Sequence, residues 1–200
     1  MYRQLTNAER EQLIQQGCTA TDWSKIEVKD GFCADHISNT RFSGNIKLGI
    51  FNREYTLPGG LLVHSGVSHA TLHNVEIGDD CHIYNVINYI ANYTIGANTC
   101  IENVYAILVD GKTRFGNGVE VSVMNEGGGR DIPIFDHLSA SLSYILTLYR
   151  HRPVLIQTLN KMIADYAQAQ ETETGTIGEN VHILNTGTIK NVRIGDYAII

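Results

Sequence analysis

A six-residue spacing of large apolar side chains, punctuated by glycine, constrains this chain more than any other feature. Five segments align on it, at 75–83, 93–101, 113–121, 175–183 and 192–200. Each carries a large apolar residue, then Gly, then three or four small or turn-forming residues, then another apolar residue six positions on. Between the first copies the frame is continuous: Ile77, Ile83, Tyr89, Ile95, Ile101 and Ile107 all fall on it. A helix would rotate such a series steadily around its axis, because six is not a multiple of 3.6. A short strand, a tight turn and another short strand fit better, with Gly at the turn adopting φ values that side chains resist and Asp or Asn tolerating the same region. Ile77 and Ile95 lie 18 residues apart, three hexads, which predicts one triangular coil with Ile77 stacked beneath Ile95. Phe115, Ile177 and Ile194 are expected to continue that column. The step of 62 residues from Phe115 to Ile177 exceeds one coil by 44, so an insertion is expected to leave the repeat and return to it.

The pattern apolar–Gly–x–x–small–x resembles the hexapeptide repeat of the trimeric left-handed β-helix (LpxA-like) superfamily, over residues 71–125 and 175–200. More narrowly, Leu5-Thr6-Asn7, the stretch Gly17-Cys18-Thr19-Ala20-Thr21-Asp22-Trp23, Leu57-Pro58-Gly59-Gly60 and Leu108-Val109-Asp110-Gly111 resemble an uncharacterised bacterial hexapeptide-repeat family. The resemblance implies a mainly β fold, a left-handed parallel β-helix with an N-terminal helical cap and a helical insertion. It also implies a homotrimer and acyl transfer to a sugar or sugar-phosphate, with acyl-CoA or acyl carrier protein as co-substrate and no tightly bound cofactor. A metal-binding carbonic-anhydrase branch of the same superfamily implies a further reading, a zinc site. Members of the narrower family are longer chains, and Ile200 falls on the next apolar frame position, so this chain is expected to stop in mid-coil.

Outside the repeat the pattern changes. Thr6-Asn7-Ala8-Glu9 is a capping box, Leu13 and Ile14 supply a narrow apolar stripe, and Gly17 suits a helix stop. Residues 1–35 are therefore expected to form a helical cap, packed through Trp23, Ile26 and Val28, with coils over 36–130. The stretch 36–70 is irregular, with Ile46-Lys47-Leu48-Gly49 as a weak repeat piece. Residues 131–174 read as helical. Leu138, Leu142, Ile145 and Leu148 keep helical spacing, as do Leu155, Leu159, Met162 or Ile163, and Tyr166. Pro153 suits the first turn of the second helix, and coils resume over 175–200.

Composition narrows the function classes. The chain has 200 residues, with 15 basic and 21 acidic side chains, a net charge of −6. That balance argues against a general nucleic-acid binder. A hydrophobic content of 43% with 18% charged residues excludes a disordered chain. No apolar run has the length of a membrane span, and residues 1–4 start no signal peptide, so a cytoplasmic protein is expected. Cys18, Cys33, Cys81 and Cys100 show no CxxC spacing and are expected to be reduced. There is no GxxxxGK[ST] loop and no GxSxG elbow.

The resemblance puts a histidine forward as general base on the acceptor hydroxyl or amine. His64, His69 and His73 fall within ten residues of one another, and the frame puts His73 at a corner directly before the regular coils. His82 and His182 each precede a frame isoleucine, which predicts equivalent outward positions and a surface or subunit-contact role. His64 and His69 also echo a His-x4-His metal pair, with His36 the one earlier histidine, although its spacing differs from that branch. The second candidate is an anion site at Asn125, Glu126, Gly127, Gly128, Gly129 and Arg130, where three glycines free backbone N–H groups and Arg130 adds a bidentate donor. The same glycines would equally let the chain leave the repeat. Arg150, His151 and Arg152 form a basic cluster suited either to a phosphate or to capping helix carbonyls. The competing class to an enzyme is a non-catalytic scaffold or ligand-binding protein.

Overall fold

The computed structural model describes residues 1–57, 59–122 and 127–200. The chain divides into two units, Met1–Asp110 with Thr174–Ile200, and Gly111–Glu173.

The first unit runs β1 (Tyr2–Gln4), α1 (Asn7–Gln15), β2 (Thr19–Ala20), β3 (Ile26–Lys29), β4 (Ile37–Leu48), β5 (Glu54–Thr56), β6 (Leu62–His64), β7 (Gly66–Ile77), β8 (His82–Ile95) and β9 (Cys100–Leu108). The second holds β10 (Glu120–Val121), β11 (Ile132–Pro133), α2 (Ala140–Leu148) and α3 (Pro153–Ala169). The first unit then resumes with β12 (Gly175–Ile177), β13 (His182–Leu184) and β14 (Thr188–Lys190). Single 3-10 turns at Trp23–Lys25 and Ala34–His36 precede β3 and β4.

Among the described residues, ten strands form one mixed sheet in the order β1-β3-β4-β7-β8-β9-β13, with β2 on β4, β12 on β8 and β14 on β9. Every pairing in it is parallel except β1 on β3. Two separate antiparallel pairs, β5–β6 and β10–β11, complete the β structure.

This corrects the expected left-handed parallel β-helix. The finding is a large mixed sheet of mostly parallel strands, with few helices. The hexads do not break into separate short strands: β4 and β7 run for 12 residues and β8 for 14. Bends are absorbed inside them by residues in the left-handed region, among them Asn74 (φ 50°), Asn85 (φ 55°) and Asn92 (φ 59°). Asparagine tolerates that region better than other side chains, so a strand can turn without ending.

The isoleucines of the frame stack, whereas a register shift after Val86 sets Tyr89 opposite Ala106 and puts Ile90 in its place. One column joins Leu48, Ile77, Ile95, Ile177 and Ile194 across neighbouring strands. A second joins Ile37, Val67, Ile83, Ile101 and Ile183, and a third Phe42, Leu72, Ile90, Ile107 and Ile189. All of these side chains are buried, and each stabilises the fold by about 1.5–3 kcal/mol relative to exposure. Phe115 departs from the expected column. It lies in the second unit at φ 54°, and the repeat copy around it contributes only β10, which pairs antiparallel with β11.

Gly116 has the positive φ (86°) expected of a turn, but in the stacked copies glycine has a different cause. Gly78 and Gly96 do not have positive φ. A Cβ on Gly78 would lie 2.7 Å from Ala97 N, and one on Gly96 would lie 2.6 Å from the carbonyl carbon of Gly178. The backbones of successive strands approach too closely for any side chain.

At the N-terminus the capping box forms as read: Glu9 N–H donates to Thr6 Oγ1 and Thr6 N–H to Glu9 Oε2, while Arg3 pairs with Glu9 at 2.7 Å. Leu13 is buried, but Ile14 is 46% exposed. Beyond α1 the first 29 residues supply β1, β2 and β3 to the sheet. In the second unit Ile132, Leu146 and Ile163 form a core with Leu138, Leu142 and Leu159 around it. The buried stripe of α3 runs through Ile156 and Ile163 to Ala167, leaving Leu155 and Met162 exposed. No helix among the described residues is long and apolar enough to cross a membrane.

Candidate functional site

Pairing of β4 with β7 sets Ile37 opposite Val67, so the residues just before these strands meet. Only glycine fits at 66, because a Cβ there would collide with the main chain of His36. That close approach lays the His64 ring on the His36 ring, with centroids 3.4 Å apart and planes 12° from parallel. His64 Nδ1–H donates to the Ser65 carbonyl at 2.8 Å, so the neutral ring carries its lone pair on Nε2. His82, opposite Gly66 on β8, donates Nδ1–H to the His64 carbonyl at 3.0 Å and has the same tautomer. Three histidines from three parts of the chain thus converge.

The pair β5–β6 closes over them. Tyr55 comes within 6.2 Å of the His82 ring, and its hydroxyl donates to the Asp80 carbonyl at 2.5 Å. Arg53 stands over Tyr55, 4.9 Å from the centroid, and donates to Asn98 Oδ1 at 2.7 Å. Ser65 is fully buried; its Oγ accepts from Arg53 N–H and its N–H donates to Arg53 O. His82 is therefore only 7% exposed, which corrects the outward surface role. A segment of no repeat character covers it. His182 and Cys100 do occupy equivalent register positions, but Cys100 is buried too.

Burial sets the titration behaviour. The His36 imidazole is lowered from its ordinary value, first by desolvation and then by the facing His64, with Asp35 opposing. Desolvation pushes Tyr55 up to about 12, Cys81 to about 12 and Cys100 to about 11. Neither cysteine supplies a thiolate near neutrality. All four cysteines are free, with Cys33 exposed.

The sequence candidates 64, 69 and 73 do not form one cluster. His69, at φ 54°, faces Asn39 (Nδ2 to Nε2, 3.4 Å) and the edge of Tyr84 at 5.7 Å; the Tyr84 ring in turn lies 6.3 Å from that of His82. His73 lies at another bend. Asn74 Oδ1 accepts from Asn45 N–H, so its amide nitrogen is the atom facing His73 Nε2 at 3.1 Å. Nε2 is then the acceptor, and Nδ1–H donates to Ser43 Oγ at 2.9 Å. Both ring nitrogens of His73 are engaged. Asn74 also lines a groove of about 160 Å3 with Asn45, Lys47, Glu76 and Thr94, which shares Asn45 and Lys47 with a second of about 330 Å3.

In the second unit, Asn125 and Glu126 lie outside the described residues. Gly127, Gly128 and Gly129 are exposed with open space around them, and Arg130 is exposed. Arg150 caps helix α2, donating to Leu146 O at 2.9 Å, and reaches Asp131 O at 2.7 Å. Among the described residues, no three His, Cys, Asp or Glu side chains converge to hold a metal ion.

The sequence matches the family described as domain of unknown function DUF4954 over residues 2–200. The chain belongs to that family. A relative from Treponema pallidum (strain Nichols), described as an uncharacterized protein, is 26% identical over 97% of this chain. This chain covers 28% of that relative's length. No solved structure matches at a significant level. The assignment to the trimeric left-handed β-helix acyltransferases is therefore corrected: the family that matches is DUF4954. At Gly78, Gly96 and Gly178 the apolar–Gly step marks parallel backbones stacked too closely for a Cβ, so there the motif that carried the resemblance reports packing and no particular chemistry.

Tyr55, Arg53 and Glu54 had no signal in the sequence. His36 had one only as the histidine that precedes His64 in the sequence; the pairing of Ile37 with Val67 that brings it there is a property of the paired strands.

Proposed function

We propose that this chain carries the base of a transferase that moves an acyl group onto a hydroxyl or amine of a sugar or sugar-phosphate. The base is His64. One observation supports the reading: His64 is held by its Nδ1–H on a main-chain carbonyl, leaving Nε2 to take a proton, in a half-buried cluster with His36 and His82. A base needs an oriented ring with a free lone pair, and the Ser65 carbonyl fixes that orientation. The donor is acyl-CoA or acyl carrier protein, and the protein acts as a homotrimer in the cytoplasm.

The second reading is a non-catalytic ligand-binding or scaffold protein. The two shallow grooves around Asn45 and Lys47 favour it, since neither encloses enough volume to bury an acyl-CoA. The experiment is thiol release from acetyl-CoA with a panel of sugars and sugar-phosphates, run beside thermal shift. His64→Ala should lose about 10²–10⁴ in rate with folding kept, while His73→Ala keeps most of it. A wild-type protein that is stabilised by a sugar but turns over no acceptor would replace the first reading with the second. A monodisperse monomer at tens of micromolar would remove the trimer.

A further inference from the structure

We propose that the stacked His36–His64 pair is a proton-sensitive clasp that holds strands β5 and β6 down over His82 and Ser65. The two rings come from different elements, the 3-10 turn Ala34–His36 and strand β6, and meet face to face at 3.4 Å. Neutral imidazoles stack favourably at that separation. Two imidazolium rings there would place like charges in contact, and the pair cannot hold both protons without parting.

The charged groups around the pair set how many protons it takes. Asp35 adjoins His36 on the turn and accepts from Gln12 Nε2. Glu54 is the cross-strand partner of His64 on β5. Arg53 points away to Asn98 and Tyr55, Asp80 is engaged with the Asn52 N–H, and His82 meets His64 only through its main-chain carbonyl. Asp35 is thus the carboxylate that offsets a proton on His36. The second proton has no such compensation and drives the rings apart.

The sign follows from burial. His36 is lowered in the folded chain, so the unfolded or opened form binds protons more readily. The clasp is complete above about pH 6.5, the ordinary imidazole value, and weakens as pH falls below it. Parting the rings loosens the two hydrogen bonds beside them, the main-chain link from Ser65 N–H to Arg53 O at 2.6 Å and the Arg53 N–H to the Ser65 hydroxyl Oγ at 2.9 Å. His82 and Ser65, both buried in the closed form, then meet solvent. The inference does not depend on His64 acting as a base, because the clasp is a property of the fold.

The test is amide hydrogen exchange at pH 7.5 and pH 5.0, corrected for intrinsic exchange. Protection of the Ser65 amide and of β5–β6 should fall by about tenfold at pH 5.0, the effect of roughly one pH unit of linked protonation. The amides of β9 should keep theirs. His36→Phe preserves an aromatic ring on His64 and removes the proton, so it should abolish the pH effect. Unchanged protection at pH 5.0, or an undiminished loss in His36→Phe, would overturn the clasp. If that variant fails to fold, imidazole NMR titration of the native chain decides. A His36 step below the ordinary range supports the clasp, and two rings titrating together at about pH 6.5 overturn it. Exchange reads the strand pair whatever the turnover, so its outcome is separate from that of the acyl-transfer assay.

Discussion

Replacing Gly96 by alanine tests why glycine recurs in this chain. The added Cβ would lie 2.6 Å from both the carbonyl carbon and the oxygen of Gly178 and 2.8 Å from Glu179 N. Ordinary carbon–carbon contact begins at roughly 3.5 Å, so the neighbouring strand must retreat by close to 1 Å. It is poorly placed to do so. Gly96 N–H is bonded to Ile177 O at 2.8 Å, Gly178 N–H to Ile194 O at 2.9 Å, and Gly178 O accepts from Thr99 Oγ1 at 3.0 Å. Overpacking of this kind costs about 1–3 kcal/mol where side chains can yield, and backbone that cannot yield belongs at the upper end. Alanine gains back about 0.4–1 kcal/mol by restricting the unfolded chain, leaving a net loss of about 2 kcal/mol. The control is Gly187→Ala, where φ is not positive and nothing lies within 4 Å; it should be neutral or slightly stabilising. Urea unfolding can be followed by Trp23, the single tryptophan, which sits in the same unit with its ring edge-on to Phe42 at 6.5 Å. With a slope of about 2 kcal/mol per molar urea, the midpoint for Gly96→Ala should drop by about 1 M. Equal midpoints for Gly96→Ala and wild type, or an equal drop in Gly187→Ala, would refute the close-approach argument.

Asn103 combines φ 54° with amide links from Asn85 (2.7 Å) and to Asn185 (3.0 Å). Asn103→Ala should cost about 2 kcal/mol, and Asn103→Gly should recover roughly half by relieving the backbone alone, both measured by urea titration. Tyr93, fully buried, donates to Val192 O at 2.6 Å across 99 residues of sequence; Tyr93→Phe should lower stability by about 1–2 kcal/mol in the same assay. Glu9 is held down at about 2, chiefly by the Arg3 guanidinium and then by Thr6 against the opposing cost of burial. Its folded value lies below the ordinary carboxylate range, so its contribution is present above about pH 4.5 and is lost as pH falls toward 2. Thermal melts of Glu9→Gln and wild type should therefore differ at pH 7 and converge near pH 2.

The hexad frame placed its isoleucines in the right columns, missed at Tyr89 and Phe115, and was a poor guide to what the strands look like. Register follows from burial: a side chain such as Ile95 can satisfy its neighbours at Ile77 and Ile177 in one alignment only, and a slip would turn the apolar set outward. Strand length has no comparable signature. Whether the chain ends a strand at a bend or carries it through depends on single φ values at residues such as Asn85 and Asn92. The repeat around Phe115 failed for a related reason, since matching the pattern does not supply a neighbouring strand to stack on.

The histidine cluster was half legible, and the missing half is instructive. His64 and His82 lie 18 residues apart, one step of the frame, yet their contact runs through a main-chain carbonyl that no side-chain pattern encodes. The cover over His82 comes from Tyr55 and β5–β6, a stretch with no repeat and no periodicity to announce it. Exposure was inferred for His82 from alternation along its strand, and alternation describes a face, never what lies on that face. His73 shows the converse. Its position at a bend was readable, but its chemistry was decided by Asn74, whose amide is oriented by the Asn45 N–H and so takes up the lone pair a base would need. Sequence spacing grouped His64 with His69 and His73, whereas the paired strands set it beside His36 and His82; hydrogen bonds to backbone and amide groups determine which ring keeps a free lone pair, and those bonds exist only once the strands have paired.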